Sequence, residues 1–101
     1  MPSVEIVEVG PRDGLQNEDV ILSTDQKVAM IEGVIAAGVR RVEAVSFAHP
    51  KYVPQMADAE AVMAGVPRSD DVTYIGLIMN WRGWERAVKA EVDEVNMLSL
   101  I

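Results

Sequence analysis

The chain has 101 residues, of which 16 are Asp or Glu and 9 are Lys or Arg, so its formal net charge is −7. Half of the residues are hydrophobic and a quarter are charged, which is typical of a soluble globular protein and excludes a disordered tail. The acidic balance argues against broad binding to nucleic acid or to an anionic membrane, no apolar run is long enough for a transmembrane helix, and the lack of Cys excludes disulfides.

Short β-rich runs alternate with segments of helical periodicity, and the predicted order is β-α-β-α-β-α-β. The predicted strands are residues 4–9, 41–47, 72–79 and 92–98. The predicted helices are residues 24–37, 55–64 and 82–89, and a polar loop is expected at residues 10–22. Ser23 and Gln26 form a capping-box signature before the first helix. Because the first strand carries apolar residues on both faces, we expect it to be covered on both sides.

This alternation implies right-handed βαβ units and a parallel sheet. Two architectures fit: a small open α/β sheet, or the first half of a (β/α)8 TIM barrel, which needs about 250 residues when complete. In a half barrel, strands one and four would each expose an unpaired edge, which favours association. We find no signal peptide in the N-terminal residues, so a cytoplasmic location is expected.

Polar residues and two glycines crowd into the loop after strand one, at residues 10–18. In parallel α/β folds, ligands bind at the carboxyl ends of the strands. Asp13 could therefore ligate a hard divalent cation, and Arg12 could hold a developing oxyanion. The alternative is a surface turn with a local ion pair.

Glu43 lies within the second predicted strand, between apolar residues. A carboxylate that points into a parallel sheet must be paired, bind a cation or be protonated. The alternative is a Glu that faces outward beneath the edge of a helix. His49 is expected to be a polar loop residue and Trp84 a core residue, and one His without Cys excludes a complete transition-metal site.

Three runs carry a resemblance to a known family: EVGPRDGLQNE at residues 8–18, VEAVSF at residues 42–47 and PKYVPQM at residues 50–56. They resemble the 3-hydroxy-3-methylglutaryl-CoA lyase family. The resemblance implies a (β/α)8 barrel, of which residues 1–101 would form the N-terminal part of a single lyase domain, truncated after strand four. It also implies metal-dependent cleavage of 3-hydroxy-3-methylglutaryl-CoA to acetyl-CoA and acetoacetate.

Matched residue by residue, the resemblance implies that Asp13 ligates Mg²⁺ or Mn²⁺. It implies that Arg12 holds the substrate oxygen and stabilises the enolate, and that Glu43 is an active-site glutamate required for turnover. Gln16, Ser46 and Asn80 fall at positions that line the substrate pocket. The implied partner is an acyl-CoA substrate, and a homo-oligomer is expected.

The sequence departs from the family pattern at several positions, which puts the acyl specificity in question. These are His49 for Ser, Tyr52 for Trp, Met79 for Pro and Glu91 for Gly. The family's two metal-binding histidines, its glycine-rich loop with a catalytic Cys and a later Asn follow the fourth strand, so we expect this chain to be inactive alone. The alternatives are a non-catalytic, self-associating α/β piece and a related Claisen-type acyl-CoA synthase.

Overall fold

The computed structural model describes residues 4–98 and contains four parallel strands and three α-helices that alternate along the chain. The strands are β1 (Val7–Glu8), β2 (Arg41–Ser46), β3 (Thr73–Ile78) and β4 (Glu94–Met97). The helices are α1 (Thr24–Ala36), α2 (Ala59–Gly65) and α3 (Trp81–Ala90). A π-helical turn at Gly10–Gly14 and a 3-10 turn at Pro54–Met56 complete the regular structure.

The strands follow one another across the sheet in the order β1-β2-β3-β4, each parallel to its neighbour. Right-handed crossovers in one direction place successive helices on the same face, and α2 indeed packs against both α1 and α3. A doubly wound sheet would instead reverse its strand order. This singly wound arrangement is the geometry of a barrel segment.

The core fills the space between the sheet and the helices. Its buried members include Ile31, Val42, Val45, Val62, Met63, Tyr74, Ile78 and Ala87. The hydroxyl of Tyr74 donates to the carbonyl of Pro67 at 2.5 Å, which satisfies the one polar atom that this aromatic ring brings into the core. The opposite face of the sheet carries the polar residues Glu43, Glu94 and Asn96 together with their apolar neighbours Ile75 and Leu77 on β3.

Local signals gave the start of α1 correctly. The backbone N–H of Gln26 donates to Ser23 Oγ at 3.1 Å, and the N–H of Ser23 donates to Gln26 Oε1 at 2.8 Å, which is the predicted capping box. Gly38 follows the helix at φ 105°, in the region where glycine carries no steric cost.

The prediction of a long, doubly covered first strand was wrong. β1 comprises only Val7–Glu8, and the side chains of Val4 and Ile6 are 92% and 69% exposed. β1 pairs only with β2, and the chain leaves the sheet at Gly10, where it enters the π-helical turn instead of the expected polar loop. Pro11 at the start of that turn has no backbone N–H to continue the pairing with β2.

The predicted helix at residues 55–64 was also too long, because a 3-10 turn precedes α2. The carbonyl of Gln55 accepts a hydrogen bond from Lys27 Nζ, and the helix begins after Asp58, whose carbonyl accepts the N–H of Val62 at 3.0 Å. Trp84 is 40% exposed on α3 and is not a core residue. Within residues 4–98, no helix combines the length and apolar character needed to cross a bilayer.

Candidate active site

The turn after β1 is organised around a single carbonyl. Val9 O accepts the backbone N–H groups of Arg12, Asp13 and Gly14 at 3.2, 2.7 and 3.3 Å. Asn17 Nδ2 donates to the carbonyl of Asp13 at 2.8 Å and closes the turn. These bonds hold the side chains of Arg12 and Asp13 at the carboxyl edge of the sheet.

β2 carries a bulge next to Glu43. Glu43 is in register with Ile75 of β3, whereas Val45 is in register with Gly76, so Ala44 is an extra residue in the strand. Bulges re-aim side chains near functional sites. Since Val42 and Ala44 belong to the helix-side core, Glu43 lies on the opposite face of the sheet.

Arg12 and Glu43 form a buried ion pair across the two strands. Arg12 Nε lies 2.5 Å from Glu43 Oε1, and the two side chains are only 16% and 7% exposed. Arg12 Nη1 also lies 3.3 Å from Asp13 Oδ1. A buried carboxylate needs a partner, and Arg12 supplies it. The structure therefore brings Arg12, Asp13 and Glu43 together, and the outward-facing alternative for Glu43 was wrong.

A fourth residue joins this group from β4. Asn96 Nδ2 donates to Glu43 Oε2 at 3.1 Å, so both carboxylate oxygens are engaged. Sequence reasoning missed Asn96. The signal was the alternation Glu94, Asn96 along β4, which puts two polar residues on the same face of the sheet as Glu43.

The pocket-lining residues implied by the resemblance occupy three different environments. Gln16 Oε1 is buried and makes no hydrogen bond within residues 4–98, so an acceptor there is available to a ligand. Ser46 is fully buried, and its Oγ accepts the N–H of Ala48 at 3.2 Å. Asn80 is the N-cap of α3, where its Oδ1 accepts the N–H of Gly83 at 2.8 Å. Asn80 makes no hydrogen bond to the Arg12–Glu43 pair.

His49 is a polar loop residue, as expected. Its Nδ1 accepts the N–H of Lys51 at 3.1 Å, and its ring lies edge-on to that of Tyr52 with 5.5 Å between the centroids. The neighbouring polar cleft is lined by Arg86 and Glu60, which form a bidentate pair at 2.6 and 2.7 Å. The hydrogen bond from Arg86 lowers the pKa of the Glu60 carboxyl, against the opposing effect of burial.

In the turn after β1, Asp13 is a suitable ligand for a divalent cation. The Asp13 carboxylate is a hard oxygen donor, its side chain is 55% exposed, and the orphaned Gln16 Oε1 belongs to the same turn region. Within residues 4–98, no group of three His, Asp or Glu side chains could enclose a metal ion. Asp13 thus fits a metal as a single ligand, and further ligands would have to come from outside this segment.

Sequence reasoning also missed a buried lysine that ties the two loops of this edge together. Lys27 of α1 contacts the Asp58 carboxylate and the Gln55 carbonyl, and Thr24 Oγ1 donates to Asp58 Oδ2 at 2.5 Å. Gln55 Nε2 in turn donates to the carbonyl of Glu18 at 3.0 Å. The available signal was the position of Lys27, one helical turn before the fully buried Ile31.

Comparison with known proteins gives consistent matches. The HMGL-like family model matches residues 3–99. The protein named hydroxymethylglutaryl-CoA lyase, mitochondrial, from Macaca fascicularis is 50% identical over 94 residues, which cover 93% of this chain and 29% of that protein. The chain therefore spans about 30% of the length of the curated relatives that it matches.

Solved structures agree with the sequence matches. The crystal structure of hydroxymethylglutaryl-CoA lyase from Pseudomonas aeruginosa matches with a TM-score of 0.91 and 44% identity, over 93% of this chain and 31% of that one. An HMG-CoA lyase from Acinetobacter baumannii, in complex with coenzyme A and 3-methylmalate, matches with a TM-score of 0.89 and 43% identity, over 92% and 30% of the two chains. The resemblance and the predicted fold are confirmed, since the sheet matches the N-terminal part of these barrels.

Proposed function

The chain belongs to the HMGL-like family, and we propose that it contributes part of the active site of a carbon–carbon lyase that cleaves 3-hydroxy-3-methylglutaryl-CoA to acetyl-CoA and acetoacetate. We place residues 1–101 in the N-terminal part of a single lyase domain. The observation that carries this proposal is the buried Arg12–Glu43 pair beside Asp13 at the carboxyl edge of the sheet.

Arg12 is assigned the role of stabilising the negative charge that develops on the substrate oxygen. Of the five N–H donors of its guanidinium, Nε is used by Glu43 and one on Nη1 by Asp13, so the remaining donors can meet a substrate oxygen. Fixed donors of this kind stabilise an oxyanion because they need no reorganisation as the charge forms. In the proposed cleavage, a general base takes the proton of the substrate hydroxyl, which becomes the ketone of acetoacetate. The electrons of the broken C–C bond form the enolate of acetyl-CoA, and a proton returned to its carbon gives acetyl-CoA.

Glu43 is assigned the role of holding the Arg12 guanidinium in a fixed orientation. Its carboxylate accepts from Arg12 Nε and fixes the plane of the guanidinium relative to the edge of the sheet. Burial of both side chains strengthens this interaction by keeping water away from it. A planar guanidinium that is held in place can present its remaining donors in one direction.

Asp13 is assigned as one ligand of a divalent cation, Mg²⁺ or Mn²⁺, with Gln16, Ser46 and Asn80 at the margins of the acyl-CoA pocket. When bound, such a cation polarises the substrate oxygens and lowers the pKa of the substrate hydroxyl. Asp13 would hold it with the exposed part of its carboxylate, next to the donors of Arg12. The Gln16 Oε1 atom is an acceptor for a substrate hydroxyl or amide.

The assay should compare two forms of the protein. We expect residues 1–101 alone to be inactive. A chimera that carries residues 4–98 in place of the matching segment of the Pseudomonas aeruginosa enzyme should form acetyl-CoA and acetoacetate from 3-hydroxy-3-methylglutaryl-CoA when Mg²⁺ or Mn²⁺ is added. A chimera that folds but forms neither product would refute the proposal. Condensation of acetyl-CoA with 2-oxo acids would instead identify a synthase.

Self-association of the chain is a second candidate, and a specific observation favours it. Both edge strands of the described sheet are bordered by exposed apolar side chains, Ile6 at 69% beside β1 and Met97 at 67% on β4. Such edges promote association between copies. Light scattering of residues 1–101 should therefore show a homo-oligomer, and a monomer at all concentrations would rule this candidate out.

The cytoplasmic location stays a prediction. The macaque relative is named as mitochondrial, so membership of the family does not fix the compartment. Fractionation of cells that express the natural protein, followed by immunoblotting, tests it, and recovery with an organelle fraction would contradict it.

A further inference from the structure

Asn96 reaches the candidate site from two strands away. Along the sheet, Glu43 of β2 is in register with Ile75 of β3, and Ile75 is in register with Glu94 of β4, so Asn96 lies two residues beyond the register position of Glu43. Neighbouring strands lie about 4.8 Å apart, so side chains of β2 and β4 can meet only where both point to the concave face. In parallel barrels, side chains from alternate strands meet in this way in one layer. Asn96 and Glu43 make such a contact, with Nδ2 at 3.1 Å from Oε2.

This contact determines how the Glu43 carboxylate can turn. Arg12 Nε occupies Oε1, and Asn96 Nδ2 occupies Oε2, so the carboxylate plane is fixed by one donor on each oxygen. Within residues 4–98, Oε2 accepts no other hydrogen bond. Without Asn96, the carboxylate could rotate about its terminal torsion, which is broad in Glu, and its orientation toward Arg12 would be lost.

The chemistry of the amide suits this task. Asn96 is neutral, so it donates to the carboxylate without competing for the charge of Arg12, as a Lys or Arg would. It is exposed on β4, whereas Glu43 is buried at 5% exposure, so Asn96 closes the open side of the carboxylate. The cluster is thus built from three elements: the turn after β1, the bulged strand β2 and β4.

We propose that Asn96 is a positioning residue of the site, which holds the Glu43 carboxylate in the orientation that aligns the Arg12 guanidinium. The inference rests on the proposed function, because it assigns Asn96 a part in the same reaction. Asn96 itself needs no contact with the substrate. Its loss should therefore reduce turnover and leave substrate binding nearly unchanged.

The first test measures kcat and KM in the chimera that carries residues 4–98 within the Pseudomonas aeruginosa enzyme. Asn96→Leu keeps the size of the side chain and removes the donor, and it should lower kcat about 10-fold with KM changed less than about 2-fold. Asn96→Gln keeps an N–H donor at an exposed position and should recover part of the loss. Met97→Leu, on the same strand and the opposite face, is the matched control and should leave kcat unchanged.

The second test does not depend on activity. The Nε–H proton of Arg12 can be followed by NMR in the same variants, since a hydrogen bond to a carboxylate shifts this signal and slows its exchange with water. Asn96→Leu should move the signal and speed its exchange, and Met97→Leu should not.

The outcomes separate the two proposals. An unsubstituted chimera that folds but lacks lyase activity would refute the proposed function, and the Arg12 signal would still decide the role of Asn96. An unchanged signal in Asn96→Leu would overturn the positioning role, whatever the activity. In an active chimera, a kcat that Asn96→Leu leaves unchanged, or an Asn96→Gln variant as slow as Asn96→Leu, would overturn it as well.

Discussion

The ammonium group of Lys27 contacts the Asp58 carboxylate, which lies 31 residues later in the chain. The Lys27 side chain is 5% exposed and that of Asp58 is 28% exposed, so water reaches only one member of the pair. Because Lys27 also donates to the carbonyl of Gln55, this single side chain fastens the loop after β2 to the first turn of α1.

Substitution of Lys27 by Met should destabilise the protein by about 1–3 kcal/mol, which is less than for a fully buried pair because Asp58 can still be hydrated. Urea unfolding measures the change. Lys89→Met, at an exposed position of α3, is the matched control and should change the free energy of unfolding by less than about 0.5 kcal/mol. Equal effects of the two substitutions would show that the contacts of Lys27 with Asp58 and Gln55 do not stabilise the protein.

The Lys27–Asp58 pair should also make the free energy of unfolding depend on pH. Burial by itself would raise the pKa of the Asp58 carboxyl, but the hydrogen bonds from Lys27 and Thr24 outweigh it, and the pKa lies below its ordinary value of 3.8. A carboxyl with a lowered folded-state pKa stabilises the protein above its unfolded-state pKa, and that contribution is lost as the pH falls through the folded-state pKa.

Unfolding free energies should therefore fall between about pH 5 and about pH 2, and Asp58→Asn should make this dependence shallower. Part of it should persist in Asp58→Asn because the pKa of Glu60 is lowered by Arg86 in the same sense. The Glu60→Gln substitution removes that second part. A pH profile with the same slope in Asp58→Asn and in the wild type would contradict the assignment.

The C-cap residue of α3, Glu91, has a left-handed backbone conformation. Glu91 has φ 60° and ψ 43°. L-residues pay about 1–2 kcal/mol in this region, part of which is offset by the higher unfolded-state entropy of glycine. We expect Glu91→Gly to stabilise the protein by about 0.5–1 kcal/mol in thermal unfolding. The control Lys89→Gly, inside the same helix, should destabilise it by about 1 kcal/mol.

The ring of Phe47 packs directly against Gly76. A Cβ atom at Gly76 would lie 2.6 Å from Cε2 of Phe47, which is 2% exposed and has little room to move. Gly76→Ala should cost about 1–3 kcal/mol through overpacking. Gly33→Ala in α1, where a Cβ meets no atom within 4 Å, should instead be neutral or stabilising. Unfolding in guanidinium chloride distinguishes the two, and a harmless Gly76→Ala would contradict the packing.

Local patterns predicted the features that depend on neighbouring residues. The capping box at Ser23 and Gln26 needs only residues three positions apart. The parallel alternation places Arg12 and Glu43 at one edge because the carboxyl ends of parallel strands meet there. The sequence therefore indicated both the parallel order of the strands and the proximity of Arg12 to Glu43, although no local rule gives the distance between the two side chains.

Contacts between distant residues decided what the patterns could not predict. The extent of β1 depends on its single neighbour, and the burial of Lys27 depends on Asp58 in another loop. The contact of Asn96 with Glu43 depends on the curvature of the sheet across three strands.

The most direct measurement is the rate of acetoacetate formation by the chimera that carries residues 4–98, with Arg12 or Glu43 replaced. Arg12→Lys and Glu43→Gln should each lower kcat by about 100-fold or more. Arg41→Lys is the matched control, since Arg41 lies on the same face at the first residue of β2 and pairs with Glu94 at 2.6 Å, and it should retain full activity. Arg12→Lys and Glu43→Gln variants within about 2-fold of the wild-type kcat would contradict the account.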